Sequence, residues 1–130
     1  MIKKIKLNSF KNKSGTLIPI EINNNFPIKV KRIFFIYGKR NYIRADHAHK
    51  KCSQFLIPIF GKIKLKYINK KTKGIKILDY KKQQGFLLKP KNWCKIQFIT
   101  NDSILMVICD RPYEYKDYIE NYNEFLKHIK

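Results

Sequence analysis

Gln54-Phe55-Leu56-Ile57-Pro58-Ile59-Phe60, then Gly61, then Lys62-Ile63-Lys64-Leu65-Lys66-Tyr67 reads as strand, turn and strand. Along its second half, Ile63, Leu65 and Tyr67 interleave with Lys62, Lys64 and Lys66. Strand side chains alternate between faces, so the lysines are set toward water and the apolar residues toward a core. Gly61 is the punctuation between the two runs. The same grammar continues in both directions. Further strands are predicted at 16–21, 31–37, 44–49, 74–80, 85–89, 94–100 and 103–109. Turn signals fall between them at Asn23-Asn24-Asn25, Gly38-Lys39, residues 69–74, Pro90-Lys91-Asn92 and Asn101-Asp102. Short strands at this density predict an all-β sandwich or barrel, with a jelly roll as the natural candidate.

The end of the chain changes period. Tyr115, Tyr118, Ile119, Tyr122, Phe125, Leu126 and Ile129 recur at helical spacing. This predicts one C-terminal α-helix from about Lys116 onward, its apolar stripe laid on the sheet or on a partner.

At 130 residues, 44% of them hydrophobic, the chain is expected to fold as a single domain over 1–130. The N-terminal MIKKIKLNSF lacks a long apolar run, so neither a signal peptide nor membrane insertion is expected. Cys52, Cys94 and Cys109 form no Cys-x-x-Cys pair, which argues against a zinc site and fits a reduced, cytoplasmic setting. The formal net charge is +20. Solvated lysines alternating with core residues explain much of it. Steering of an anionic substrate is a second reading, and a nucleic-acid or anionic-surface partner a third.

Chemistry concentrates in Arg44-Ala45-Asp46-His47-Ala48-His49-Lys50-Lys51, followed by Gln54. His47 and His49 sit two residues apart on a strand, so they share a face. Imidazole titrates near neutrality and suits proton transfer or metal binding. Metal-binding cupin barrels commonly add a Glu after the second histidine and a further histidine from a later strand. Here Gln54 stands in the Glu position, residues 85–94 contain no histidine, and His128 falls in the predicted helix. Two histidines without a carboxylate make a poor divalent-metal site, so no metal and no cofactor are expected.

A wider set of motifs carries a family resemblance. Lys31-Arg32-Ile33-Phe34-Phe35-Ile36-Tyr37, Arg44-x-x-His47-Ala48-His49-Lys50-Lys51-x-x-Gln54, Gly61, Pro90-x-x-Trp93 and Tyr113-x-x-x-Asp117-Tyr118-Ile119 span nearly the whole chain. Together they closely resemble the WxcM-like/FdtA-type sugar-nucleotide 3,4-ketoisomerases, cupins acting on a TDP-4-keto-6-deoxyhexose. Three positions depart from the family pattern. Ala45 replaces a Gly, a small change in a strand. Ser14-Gly15 stands for an Arg-Gly pair, and Cys94 for a His after the Trp. Ser14 and Cys94 thereby correspond to positions close to the sugar.

The resemblance implies conversion of TDP-4-keto-6-deoxyglucose to a 3-keto isomer through an enediolate. The proton on C3 is removed and a proton is delivered to C4. His49 is the candidate general base, with His47 orienting it or relaying a proton, in either order. Arg44 is a candidate for the enediolate oxygen or a phosphate. Tyr37 and Gln54 are candidate donors to the sugar, and Trp93 a candidate wall of the pocket. The plainer readings are a surface salt bridge for Arg44 and simple packing for Tyr37 and Trp93. No nicotinamide is needed, and no GxGxxG is present. The expected partners are a TDP-linked keto-deoxyhexose and a second copy of the chain, with no nucleic acid. A sugar-nucleotide epimerase of the same fold, pairing a His with an Asp and a Tyr acid, is one alternative. A non-catalytic basic β-barrel that binds nucleic acid is the other. No hexapeptide repeat supports an acyltransferase.

Overall fold

Gly61 is where the chain changes sheets. β6 (Gln54–Phe60) and β7 (Lys62–Ile68) are consecutive yet belong to different sheets. Gly61 makes the crossing with φ of 84°, a left-handed backbone, beside the side chains of Thr100 and Ser103. The computed structural model describes residues 2–130. The remaining strands are β1 (Ile2–Lys6), β2 (Phe10–Asn12), β3 (Gly15–Leu17), β4 (Arg32–Gly38), β5 (Ile43–His49), β8 (Lys73–Asp79), β9 (Gln84–Leu88), β10 (Trp93–Phe98), β11 (Ser103–Cys109) and β12 (Tyr118–Ile119).

One sheet runs β1-β9-β6-β11-β4 and the other β12-β5-β10-β7-β8, with every described neighbour pair antiparallel. Their inner faces share one core. Leu56, Phe86, Leu105 and Val107 come from the first sheet, and Ile63, Leu65, Leu78, Ile96 and Phe98 from the second. This is the expected jelly roll, with the sheets open as a sandwich and not closed into a barrel. A second layer covers the back of the first sheet. The 18–31 stretch, expected to begin as a strand through residue 21, leaves strand conformation after Leu17. It lays Ile20, Phe26, Ile28 and Val30 on Phe55, Ile57, Leu87 and Ile108.

The C-terminal helix is shorter than its stripe implied. α1 spans Tyr122–His128, and its N-cap Asn121 accepts a hydrogen bond from the Glu124 amide. Tyr115–Asp117 form a 3-10 turn, and Tyr118 and Ile119 are strand residues paired with His49 and Ala48. Pairing with β5 wins over local helical periodicity because it buries Ile119 and brings Asp117 to His49.

β5 carries an irregularity that sets the site. Arg44 pairs with Ile96 and His47 with Cys94, three residues on one strand against two on the other. The extra residue is a β-bulge. Ala45 occupies it with φ of 56°, the left-handed region where only glycine is unstrained. The Ala-for-Gly change therefore does not fall in an ordinary strand. Because of the bulge, Arg44 and His47 both point toward the inner face although three residues separate them.

Candidate active site

A cavity of about 570 Å³ opens between the sheets. Arg32 and Tyr37 from β4, Arg44 and His47 from β5, and Gln54 from β6 give it polar lining, together with Tyr118 from β12. Phe34, Leu56, Ile96 and Val107 supply an apolar base. Beneath it, sharing His47 and Gln54, lies a void of about 20 Å³ also lined by His49, Cys52, Asn92 and Cys94. That is room for about one water.

His49 is held from two sides. Its Nδ1 lies 2.9 Å from Asp117 Oδ2. Asp117 in turn accepts the backbone N–H of Lys51 at 2.7 Å and of Cys52 at 3.2 Å. A carboxylate can only accept here, so Nδ1 carries the proton and Nε2 keeps its lone pair. Nε2 is buried and has no hydrogen-bond partner among the described residues. The Tyr118 ring sits 4.5 Å from that of His49 and 4.9 Å from that of His47, and the two imidazoles meet edge to face at 5.2 Å.

Electrostatics separate the two histidines. Burial, with the nearby His49, pushes His47 from 6.5 down to about 4, against the pull of Glu120 and Asp46. Burial also lowers His49, but the hydrogen bond and charge of Asp117 oppose it. Burial pushes the Asp117 carboxyl up. The hydrogen bonds from His49, Lys51 and Cys52 outweigh that and hold it below its ordinary value. The dyad is thus a neutral imidazole on an ionised carboxylate, able to share an incoming proton.

The other residues singled out in the sequence fall in three places. Gln54 is buried and turns its Nε2 to Cys109 Sγ at 3.6 Å. Cys94 lines the small void, its thiol pushed up to about 12 by burial. Arg44 and Tyr37 stand at the mouth, Tyr37 with 76% of its surface exposed. Trp93 is not at the cavity. It faces the back of β10, where its Nε1 donates to Asp46 at 3.0 Å and its ring packs on Tyr122 and Phe125 of α1. Ile96, three residues on and therefore in the opposite phase of the strand, takes the inward place instead. Ser14 sits in the β2–β3 turn, hydrogen-bonded to Asn12, and does not line the cavity.

Asp117, Tyr118 and Arg32 enter the site without having been singled out as site residues. The first two lay inside a quoted motif, Tyr113-x-x-x-Asp117-Tyr118-Ile119, but the helical spacing of Tyr118 with Tyr115 and Tyr122 hid the role. Arg32 projects inward from β4, its guanidinium over the rings of Phe34 at 4.6 Å and Tyr113 at 5.1 Å. A cupin-type metal set does not assemble. His49 spends Nδ1 on Asp117, Gln54 offers an amide, and the third ligand histidine is lacking.

Comparison with known proteins places this geometry. The sequence profile of the family described as "FdtA: WxcM-like, C-terminal" matches residues 1–130. The chain is 31% identical over 116 residues to the TDP-4-oxo-6-deoxy-alpha-D-glucose-3,4-oxoisomerase of Aneurinibacillus thermoaerophilus, covering 88% of this chain and 83% of that one. The crystal structure of QdtA, a sugar 3,4-ketoisomerase from Thermoanaerobacterium thermosaccharolyticum in complex with TDP, superimposes with a TM-score of 0.91 at 28% identity, over 98% of this chain and 93% of that one. WlaRA, the TDP-fucose-3,4-ketoisomerase of Campylobacter jejuni, does so with a TM-score of 0.88 at 28% identity, over 99% and 96%.

Proposed function

This chain belongs to the FdtA, WxcM-like C-terminal family, and from that premise we propose that it is a TDP-sugar 3,4-ketoisomerase. Its substrate is TDP-4-keto-6-deoxyglucose and its product the 3-keto isomer. The observation that carries the reading is the His49–Asp117 pair, with His49 bordering the small void beneath the cavity and its Nε2 left as a buried lone pair.

His49 Nε2 takes the proton from C3, next to the C4 carbonyl. Asp117 stabilises the imidazolium that forms and keeps the ring oriented. The electrons become an enediolate across C3 and C4. The O3 hydroxyl proton passes to O4, and delivery to C4 of the imidazolium proton, exchanged with solvent, leaves the carbonyl at C3 and a hydroxyl at C4. His47, held neutral by its lowered pKa, acts as a hydrogen-bonding partner to the sugar and not as a second cation. Arg44 and Arg32 line the cavity above it and bind the developing oxyanion and the pyrophosphate. The redox change is internal to the sugar, so the residues present need no metal or nicotinamide.

The test is to incubate the protein with TDP-4-keto-6-deoxyglucose in deuterated water and follow the sugar by NMR. A 3-keto product with deuterium at C4 and none at C5 is expected. The His–Asp pair with Tyr118 beside it is also a set an epimerase could use. Deuterium at C3 and C5, with the carbonyl still at C4, would assign the chain to that chemistry instead.

The product feeds synthesis of a 3-amino-3,6-dideoxy sugar of a surface glycan. Three buried free cysteines suit the cytoplasm, and no helix among the described residues is long and apolar enough to cross a membrane. The assembly is a homodimer. β2 and β3 pair only with each other and expose every residue, Phe10 and Leu17 among them. A two-stranded hairpin alone is marginal in water, so it packs on a second copy, where Ser14 at its tip can approach the partner's sugar. Sedimentation showing a monomer at micromolar concentration counts against this.

A further inference from the structure

The fold assembles a second set of ligands behind the imidazole, out of residues that the sequence scatters. A ring nitrogen of His49, Sγ of Cys52 and a carboxylate oxygen of Asp117 lie within 4.8 Å of one another, and all three residues are buried. Cys109 adjoins Cys52 in the same core cluster. The set contains neither His47 nor Gln54, so it is distinct from the metal position of cupin barrels. It offers one nitrogen, one oxygen and two sulfurs, the donor mix of tetrahedral zinc sites. Zinc bonds of about 2.0–2.3 Å put neighbouring ligand atoms roughly 3.5 Å apart. The Nδ1–Oδ2 separation of 2.9 Å is already near that, and Sγ lies no more than 4.8 Å from the other two ligand atoms. Entry is from the cavity, because His49 and Cys52 both border the small void beneath it.

We propose that His49, Cys52 and Asp117, with Cys109, form a site for a thiophilic divalent ion, Zn²⁺ or Co²⁺, whose occupation switches the enzyme off. The ion binds Nδ1 of His49, Sγ of Cys52 and an oxygen of Asp117. The thiol proton of Cys52 leaves to solvent. The proton on Nδ1 is displaced, and the metal-bound neutral imidazole carries it on Nε2. The lone pair that accepts the C3 proton is then gone, without any oxidation or reduction. The inhibitory half of this proposal rests on His49 being the base; the binding half does not.

The experiment titrates the purified, metal-free protein with Co²⁺ and reads the absorption spectrum, then repeats the activity assay with Zn²⁺ and after chelator. A thiolate-to-Co²⁺ charge-transfer band saturating at one ion per chain is expected, with loss of nearly all turnover under Zn²⁺ and full recovery with chelator. Cys52→Ser, checked for folding by circular dichroism, is expected to lose the band and to show no Zn²⁺ inhibition relative to its own metal-free rate. Cys109→Ser serves as the second variant should Cys52→Ser fail to fold, and is expected to weaken the band. Absence of the band, or a band unchanged in these variants, overturns the site and leaves the catalytic reading standing. A Cys52-dependent band with turnover unaffected upholds the site and overturns His49 as the base.

Discussion

The inner end of the cavity and its mouth are built by opposite rules. At the inner end His49, Gln54 and Asp117 are buried, and each makes a protein hydrogen bond. Asp117 alone gathers one imidazole and two backbone amides. At the mouth Arg44 and Tyr37 are exposed, with no side-chain partner among the described residues. Groups that hold a proton at a fixed atom need a frozen geometry. Groups that attract a doubly charged pyrophosphate need reach and charge, which water-exposed side chains supply. The contrast predicts that changes at the inner end act on turnover and changes at the mouth act on substrate affinity.

The largest effect is expected from His49→Asn. It lowers kcat by about 10² to 10⁴, while calorimetry finds TDP binding nearly unchanged. Deuterium exchange at C3 reports the same loss directly. Wild-type exchange in His49→Asn hands the role to His47. Wild-type exchange in both single variants ends the catalytic reading of the two histidines.

Asp117→Asn comes next, with kcat down by about 10². Its pH profile sharpens the comparison. His49 must be neutral to accept a proton, and burial already sets it below 6.5. Activity therefore persists below the ordinary histidine range, and it falls at lower pH as the imidazole protonates. Asp117 raises the His49 pKa, so its loss moves that acid limb to still lower pH. A limb that moves upward contradicts the dyad.

Arg44→Lys tests the mouth. A flexible ammonium cannot reproduce a guanidinium fork, so KM rises about tenfold, about 1.4 kcal/mol, with kcat changing less. A fall in kcat with KM unchanged would move Arg44 from the pyrophosphate to the enediolate.

The smallest effects concern stability. His47 is lowered from 6.5 to about 4, so between those values the unfolded chain binds more protons than the folded one. Stability from this source is complete above pH 6.5 and is lost as pH falls toward 4. Thermal melts across that window check the sign, and His47→Asn flattens the slope. Ala45→Gly relieves a left-handed alanine and raises Tm by about 4 °C, for about 1 kcal/mol.

The strands with one buried face were legible in the sequence. β7 alternates Lys with Ile63 and Leu65, and both of those are fully buried. β2 has no buried face, so no apolar period marks it, and of the strand expected at 16–21 only Thr16 and Leu17 fall in β3. β1, with Lys3 and Lys4 side by side, breaks alternation and is a strand because β9 pairs with it. At the site, a period of two put His47 and His49 together. Nothing local could supply Asp117, which is 68 residues from His49 along the chain. Trp93 misled because a tryptophan next to a site motif suggests a wall, whereas strand alternation sends it to α1.

The bulge at Ala45 also works as a reading frame. Two-residue steps run inward on either side of it, with Arg44 in one phase and His47 and His49 in the other, and the surplus residue converts between them. Deleting Ala45 would leave every chemical group of the site present and the sheet still hydrogen-bonded. One side of the join would nonetheless be turned out to solvent, either Arg44 or both imidazoles. An indel here acts as a frameshift in three dimensions, so the site depends on the spacing between Arg44 and His47 as much as on the residues themselves.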